Sequence, residues 1–278
     1  MERAKDQGPQ NPVDRPLVTF DTNIIYALRN NEPDALPIRQ LLAFNRAGVI
    51  TINVTLSTAL EEQRPDEQME MHEYAAWLQE QGIALGNSFT GPRTIGFYVP
   101  GTPPDTITYD VRLERALNER IHQILFPNIP FSWVEYLDQE CARGGIVGTK
   151  REALIELDRQ DMYIPYSPQA PTQLPTPALD ALEQTEREEV RVLWKRLHRR
   201  WMNAKNDALG FYNHLTQAAH TTHPAYAVFV TNDGNFRKPT KLAALRQLGF
   251  RGEILPPAEA IAFICTVTGA SLEEMEKV

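Results

Sequence analysis

The chain contains only two cysteines, Cys141 and Cys265, which lie far apart in the sequence. A disulfide framework needs several cysteines, and a zinc site needs cysteines or histidines at short, characteristic spacings. The sequence therefore argues against both and favours a reducing compartment. With 278 residues, of which 42% are hydrophobic, the chain is long enough to bury a large core without such cross-links.

Long apolar runs are also missing. No run approaches the roughly 20 residues that a helix needs to cross a bilayer. The amino terminus is polar and proline-containing and lacks the apolar centre of a signal peptide. We therefore expect a cytoplasmic protein without a membrane segment. Because of their polar composition, residues 1–15 are predicted to be disordered.

The chain has no excess of positive charge, since its formal net charge is -8. Any contact with nucleic acid must therefore come from a local basic patch. A long helix predicted over residues 178–216 offers one, because cations lie opposite its apolar stripe. These cations are Arg191, Lys195, Arg196, Arg199, Arg200 and Lys205. The alternative is an ordinary solvated face whose charge is balanced by the glutamates of residues 183–189.

An aspartate follows the first apolar run of the chain. Residues 17–20 combine apolar, β-branched and aromatic side chains, which predicts a buried strand that ends at Asp21. In a parallel sheet the carboxyl ends of the strands face the ligand crevice, so a carboxylate there could bind a cation. The alternative is that Asp21 only caps the helix that starts near Ile24.

Two glutamates follow the second predicted strand. The β-branched run at 49–54 predicts this strand, and the helix expected at 55–63 carries Glu61 and Glu62. One of the two could reach back over the strand ends, with Glu62 slightly favoured. The alternative is a solvated pair on a surface helix.

Two more aspartates occupy comparable positions. Asp233 follows the near-continuous apolar run at 226–231, which predicts a strand buried on both faces. Asp207 lies beside the apolar stripe of the long helix, where partial burial disfavours a charge unless a cation compensates it. Short strands are also predicted at 95–99 and 252–255.

Carboxylates gathered at one sheet edge would repel one another, and a divalent ion would remove that conflict. Oxygen ligands without histidine or cysteine suit Mg²⁺ or Mn²⁺. Two such ions could activate a water molecule and stabilise the leaving oxygen of a phosphodiester.

Three segments resemble the motifs of PIN-domain ribonucleases. Residues 18–25 resemble the family's opening motif of Asp, Thr and Asn, residues 206–209 its middle acid, and residues 230–236 its closing motif of Thr, Asn and Asp. The resemblance implies a three-layer α/β/α sandwich with a central parallel sheet, and cleavage of single-stranded or structured RNA with Mg²⁺ or Mn²⁺. The implied metal ligands are Asp21, Glu62 or Glu61, Asp207 and Asp233, and the implied supporting residues are Asn23, Thr231 and Asn235. Asn235 stands where some family members have another acid.

The predicted domain plan inserts a large, mostly helical segment into the nuclease core. The plan consists of a lead-in at 1–15, a core at 16–66 and 200–268, an insertion at 67–199 and an acidic tail at 269–278. Compact toxin members of the family lack such an insertion, so we do not expect a toxin.

We therefore predict a divalent-metal-dependent endoribonuclease, a phosphodiester hydrolase that grips RNA through basic side chains. The predicted RNA contacts are Arg196, Arg199, Arg200, Lys205, Arg237 and Lys238, with Lys241 as a further candidate. One alternative is a catalytically degenerate PIN-like scaffold that binds RNA or protein. Another is a phosphatase of the haloacid-dehalogenase type, although Asn23 stands where that class has its second aspartate. A homodimer or an inhibitory protein partner is left open.

Overall fold

The computed structural model describes residues 15–54, 71–85, 109–162, 175–219 and 221–275. The chain divides into two compact units. The first comprises Met1–Leu125 and Asn206–Val278, and the second comprises Phe126–Lys205.

The first unit is built on a parallel sheet. Its strands are β1 (Leu17–Phe20), β2 (Thr51–Val54), β3 (Ala84–Leu85), β4 (Val228–Val230) and β5 (Glu253–Leu255). Among the described residues, five strands lie in the order β3-β2-β1-β4-β5, and every neighbouring pair is parallel. In the register, Val18 of the central β1 lies opposite Ile52 of β2 and Val228 of β4. The α/β class with a parallel sheet is thus confirmed.

Helices make up most of the remaining described structure. They are α1 (Thr22–Arg29), α2 (Ala35–Arg46), α3 (Met71–Glu80), α4 (Tyr109–Leu125), α5 (Trp133–Gly144), α6 (Thr149–Met162), α7 (Pro177–Asp180), α8 (Gln184–Ala219), α9 (Pro239–Gln247), α10 (Pro257–Thr268) and α11 (Leu272–Met275). A short 3₁₀ helix at Pro224–Tyr226 precedes β4. No helix in the described part of the chain combines the length and the apolar composition needed to cross a membrane.

Helices cover both faces of the sheet. Because side chains alternate between the two faces along each strand, the sheet packs against helices on both sides. Val18 and Phe20 of β1 are fully buried in a core shared with α1, α2 and α10. On the opposite face, Phe229 of β4 packs edge-on against Phe211 of α8, with the ring centroids 5.3 Å apart. This arrangement is compatible with a three-layer α/β/α sandwich.

The second unit has a helical core of its own in the described residues. Large side chains from α5 and α8 are buried there, including Trp133, Tyr136, Leu197 and Trp201. The carboxylate of Glu156 on α6 accepts hydrogen bonds from the first free N–H groups of α7, at 3.0 and 2.9 Å. A short helix is thereby tied to its neighbour through a negative charge at its positive end.

The prediction of one unbroken helix from residue 178 is wrong at its start. The structure has α7, then a break at 181–183, and only then α8. Arg187 stabilises the break, because its guanidinium donates to the carbonyl oxygens of Leu182 (2.8 Å) and Asp180. Apolar periodicity alone does not reveal such a side-chain bond.

The division into units differs from the predicted plan, which placed residues 67–199 in an insertion. The described elements α3 and β3 belong to the first unit, since β3 extends the sheet by pairing Asn53 with Ala84. The strand of only two residues was not predicted, because so short a run has no periodicity. The strand predicted at 95–99 lies outside the described residues.

Gly252 provides a test of the close packing between the starts of β4 and β5. A Cβ atom at this position would lie 2.2 Å from the carbonyl oxygen of Ala227. Gly252→Ala should therefore lower the free energy of unfolding by about 1–3 kcal/mol, as overpacking does, measured by urea denaturation. Gly234→Ala is the control, since no described atom lies within 4 Å of its added Cβ. Equal stability of the two variants would contradict this packing.

His214 provides a test of the opposite sheet face. Its ring is completely buried, and its Nδ1 lies 2.8 Å from the hydroxyl oxygen of Thr19. Burial lowers the pKa of His214 from 6.5 to about 3. Its neutral form therefore contributes stability above about pH 6.5 that is lost as the pH falls towards 3, by at most about 1.4 kcal/mol per pH unit.

The measurement is the free energy of unfolding from pH 7 to pH 4 for the wild type and for His214→Gln. We expect the difference between the two proteins to shrink as the pH falls, because the variant cannot take up this proton on unfolding. Replacing the exposed His223 by Gln controls for the loss of a histidine. A difference that is independent of pH would show that His214 is not buried in its neutral form.

Candidate functional site

Asp21 lies directly after β1 and is the N-cap of α1. Its Oδ1 accepts a hydrogen bond from the N–H of Thr22 at 2.8 Å. Its own N–H donates to the carbonyl oxygen of Val230 at 3.0 Å, which continues the β1–β4 pairing to the strand ends. The capping role is therefore confirmed. It leaves the second carboxylate oxygen for other contacts.

That second oxygen joins the ends of β1 and β4. Oδ2 of Asp21 accepts hydrogen bonds from the hydroxyl of Thr231 and from the side-chain amide of Asn23, both at 2.6 Å. The Asn23 amide also donates to the Thr231 oxygen at 3.1 Å, and its carbonyl oxygen accepts from the N–H of Asn232 at 3.1 Å. Two segments about 210 residues apart in sequence are thus held by one network.

Asp233 is placed by the same network. Its N–H donates to the Thr231 hydroxyl oxygen at 3.0 Å, and its Oδ1 accepts from the N–H of Asn235 at 2.7 Å. The latter bond is the local turn that aspartate favours. The negative charge of Asp233 contributes to raising the pKa of Asp21.

Burial dominates the electrostatics of Asp21, which is only 7% exposed. It raises the pKa of Asp21 from 3.8 to about 6, because the charged form loses its hydration. The hydrogen bonds from Thr231 and Thr22 oppose this shift, the negative charge of Asp233 adds to it, and the bond from Asn23 opposes it. At neutral pH the site therefore holds a costly buried anion beside a second acid.

A lysine lies on the other side of this loop. Nζ of Lys241 donates to Oδ1 of Asn235 and to the carbonyl oxygen of Leu125, which also accepts from the Asn235 amide at 3.0 Å. Burial and the charge of Lys238 lower the pKa of Lys241, whereas Asp233 raises it. Sequence reasoning grouped Lys241 with RNA contacts. The structure gives it an internal role, and both polar ends of Asn235 are engaged.

The third predicted acid does not complete a metal-binding group of three with this pair in the described part of the chain. Asp207 is half-buried on α8. No three histidine, cysteine or acidic side chains lie close enough to hold one metal ion in residues 15–54, 71–85, 109–162, 175–219 and 221–275. Glu61 and Glu62 lie outside the described residues. Of the predicted acids, the structure links Asp21 and Asp233, through the hydroxyl of Thr231.

The predicted RNA contacts fall into two groups. Arg196, Arg199 and Arg200 are exposed on α8 within the second unit, and Arg237 and Lys238 are exposed just before α9 in the first. Nζ of Lys205 lies 4.5 Å from the ring centroid of Trp201 and 5.0 Å from that of Phe131. Its charge is thus engaged with aromatic rings of its own unit.

One contact at the site was not foreseen. Oδ2 of Asp34, in the turn before α2, accepts a hydrogen bond from the Asn232 amide at 2.9 Å. An aspartate just before a helix usually indicates a cap, yet Asp34 forms no side-chain cap bond. It fixes the loop that follows β4 instead.

Comparison with known proteins gave no relative. A scan against protein-family models, a search of curated proteins and a search of solved structures each found no match to the chain. Functional inference therefore rests on the site itself.

Thr231→Val tests the network at the sheet edge. The substitution keeps the shape but removes the hydroxyl that donates to Asp21 and accepts from Asn23 and Asp233. It should lower the free energy of unfolding at pH 7 by about 1–3 kcal/mol. It should also raise the pKa of Asp21 above about 6, measured by NMR titration of the carboxyl carbon.

Thr22→Val is the matched control. Thr22 contacts Asp21 through its backbone N–H only, which the substitution preserves. A pKa of Asp21 that stays unchanged in Thr231→Val, or that moves equally in Thr22→Val, would contradict the assigned hydrogen bonds.

Proposed function

We propose that the chain is a PIN-like endoribonuclease that hydrolyses RNA phosphodiester bonds with Mg²⁺ or Mn²⁺ at the carboxyl ends of β1 and β4. One observation carries the proposal. Asp21 and Asp233, which follow these adjacent parallel strands, are linked through the hydroxyl of Thr231. This edge of a parallel sheet is where such folds bind ligands.

The donor set suits a hard divalent ion. Oδ1 of Asp21 accepts one hydrogen bond, and Oδ2 of Asp233 accepts none from the described residues. Mg²⁺ commonly binds through one or two carboxylates, with water and substrate phosphate completing its shell. Asp21 and Asp233 would hold the ion, with Glu61 or Glu62 and Asp207 as further candidates.

When bound, the metal would activate a water molecule and stabilise the leaving oxygen of the phosphodiester. The protein's own groups position the acids. Thr231 and Asn23 hold Oδ2 of Asp21, which directs its other oxygen away from that network. The turn at Asn235 fixes Asp233, and Lys241 ties this turn to the end of α4.

A degenerate PIN-like scaffold is the second candidate. It is favoured because, in the described part of the chain, no third histidine, cysteine or acidic side chain lies close enough to Asp21 and Asp233 to hold one metal ion with them. It is also favoured by Asn235, whose two polar ends bond within the protein where some family members have an acid. Such a domain would bind RNA or protein without cutting it.

Cleavage of labelled RNA by the full chain separates the two candidates. Asp21→Asn and Asp233→Asn should each reduce Mg²⁺-dependent cleavage by more than the roughly 10- to 100-fold that removal of a supporting residue costs. The reason is that each removes a charged oxygen ligand. Circular dichroism and thermal unfolding establish that the variants are folded.

Asp180→Asn is the control, because Asp180 is exposed in the second unit and should leave cleavage unchanged. Cleavage that survives both site substitutions would refute the proposed active site. A folded wild type that cuts no RNA with either metal would favour the scaffold.

A further inference from the structure

The second unit carries a strongly basic groove on α8. The groove has a volume of about 490 Å³ and is lined by Lys195, Arg196, Arg199, Arg200 and Asn203. We call these five residues the α8 groove. All four cations are exposed, in a chain whose formal net charge is -8.

The cations form two pairs on successive turns of the helix. The first pair is Lys195 and Arg196, and the second pair is Arg199 and Arg200. Corresponding members of the two pairs are four residues apart, so the pairs are separated by about 6 Å along the helix axis. Like charges at this spacing repel and destabilise a helix. No acidic residue lies three or four positions from any of the four cations to relieve that repulsion.

Other cations of the same unit do have acidic partners. Arg151 pairs with Asp138 at 2.6 Å, Lys150 pairs with Glu186 at 3.1 Å, and Arg143 pairs with Glu140. In the described residues, no carboxylate forms an ion pair with the cations of the α8 groove. Their charge is therefore available to an external anion.

Aromatic side chains pack around the helix turn that carries these cations. His198, which immediately precedes Arg199, stacks on Trp194 with the ring centroids 4.8 Å apart. It also meets the edge of Trp133 at 5.2 Å. Because this aromatic cluster anchors the other face of the helix, little backbone order needs to be gained when a ligand binds.

We propose that the α8 groove binds the phosphate backbone of an RNA strand. Three of its four cations are arginines, whose planar donors match phosphate oxygens two at a time. Two pairs on successive turns suit an extended chain of phosphates better than a single anion. The choice of RNA over an acidic protein as the ligand rests on the proposed nuclease function. The inference that the α8 groove binds an anion does not rest on that function.

The test is RNA binding by the full chain, measured by fluorescence anisotropy with labelled oligouridine in EDTA so that no cutting occurs. In Lys195→Gln/Arg196→Gln/Arg199→Gln/Arg200→Gln the affinity at low salt should fall at least about 10-fold. The slope of log affinity against log salt should become shallower by up to about 3. A triple variant that retains Arg200 should show a partial loss.

The control removes one lysine and three arginines that are all ion-paired: Lys150, Arg143, Arg151 and Arg246. It should bind far more tightly than the groove variant, although both lose four charges. Equal affinities would overturn the proposal, as would competition by polyglutamate as effective as that by unlabelled oligouridine. Because binding is measured without metal, a failure of the nuclease proposal would leave this result intact.

Discussion

Burial of the Asp21 carboxylate is the constraint on which the candidate site depends. A charged group that is 7% exposed is unfavourable unless hydrogen bonds or a cation compensate it. Three donors converge on it, from Thr22, Asn23 and Thr231. They lower its pKa, yet burial still raises it to about 6. The hydrogen bonds therefore offset only part of the cost of burial, and a cation bound at this carboxylate would offset more of it.

The same network explains the shape of the loop after β4. Thr231 is wholly buried and both donates to Asp21 and accepts from the N–H of Asp233. Its hydroxyl thus links the side chain of Asp21 to the backbone of Asp233. The second unit has a different electrostatic problem, because four cations on α8 lack acidic partners among the described residues. Both features leave charge uncompensated within the protein, negative at the sheet edge and positive on the helix. The proposed nuclease would use the first for a metal ion and the second for RNA phosphates.

Sequence patterns predict the features that depend on local chemistry. Strands β1 and β4 follow from their apolar, β-branched runs, and the polar residues after each strand predict the meeting of Asp21, Thr231 and Asp233. Features set by tertiary contacts are not predictable in this way. The two-residue β3 exists because it pairs with β2, and the break before α8 depends on one arginine side chain. Lys241 has the sequence context of a surface cation, but its Nζ donates a hydrogen bond to the carbonyl oxygen of Leu125. The glutamates at 61 and 62 stay a prediction.

The most direct test of the central claim is X-ray diffraction at the manganese absorption edge, from crystals of the full chain soaked in Mn²⁺ at neutral pH. The proposed site predicts an anomalous peak within ligand distance of Oδ1 of Asp21 and Oδ2 of Asp233. The same map would identify any third ligand from Asp207, Glu61 or Glu62. A soak that leaves no peak between the two aspartates, while Thr231 and Asn23 keep their bonds to Asp21, would contradict a metal-dependent active site at this sheet edge.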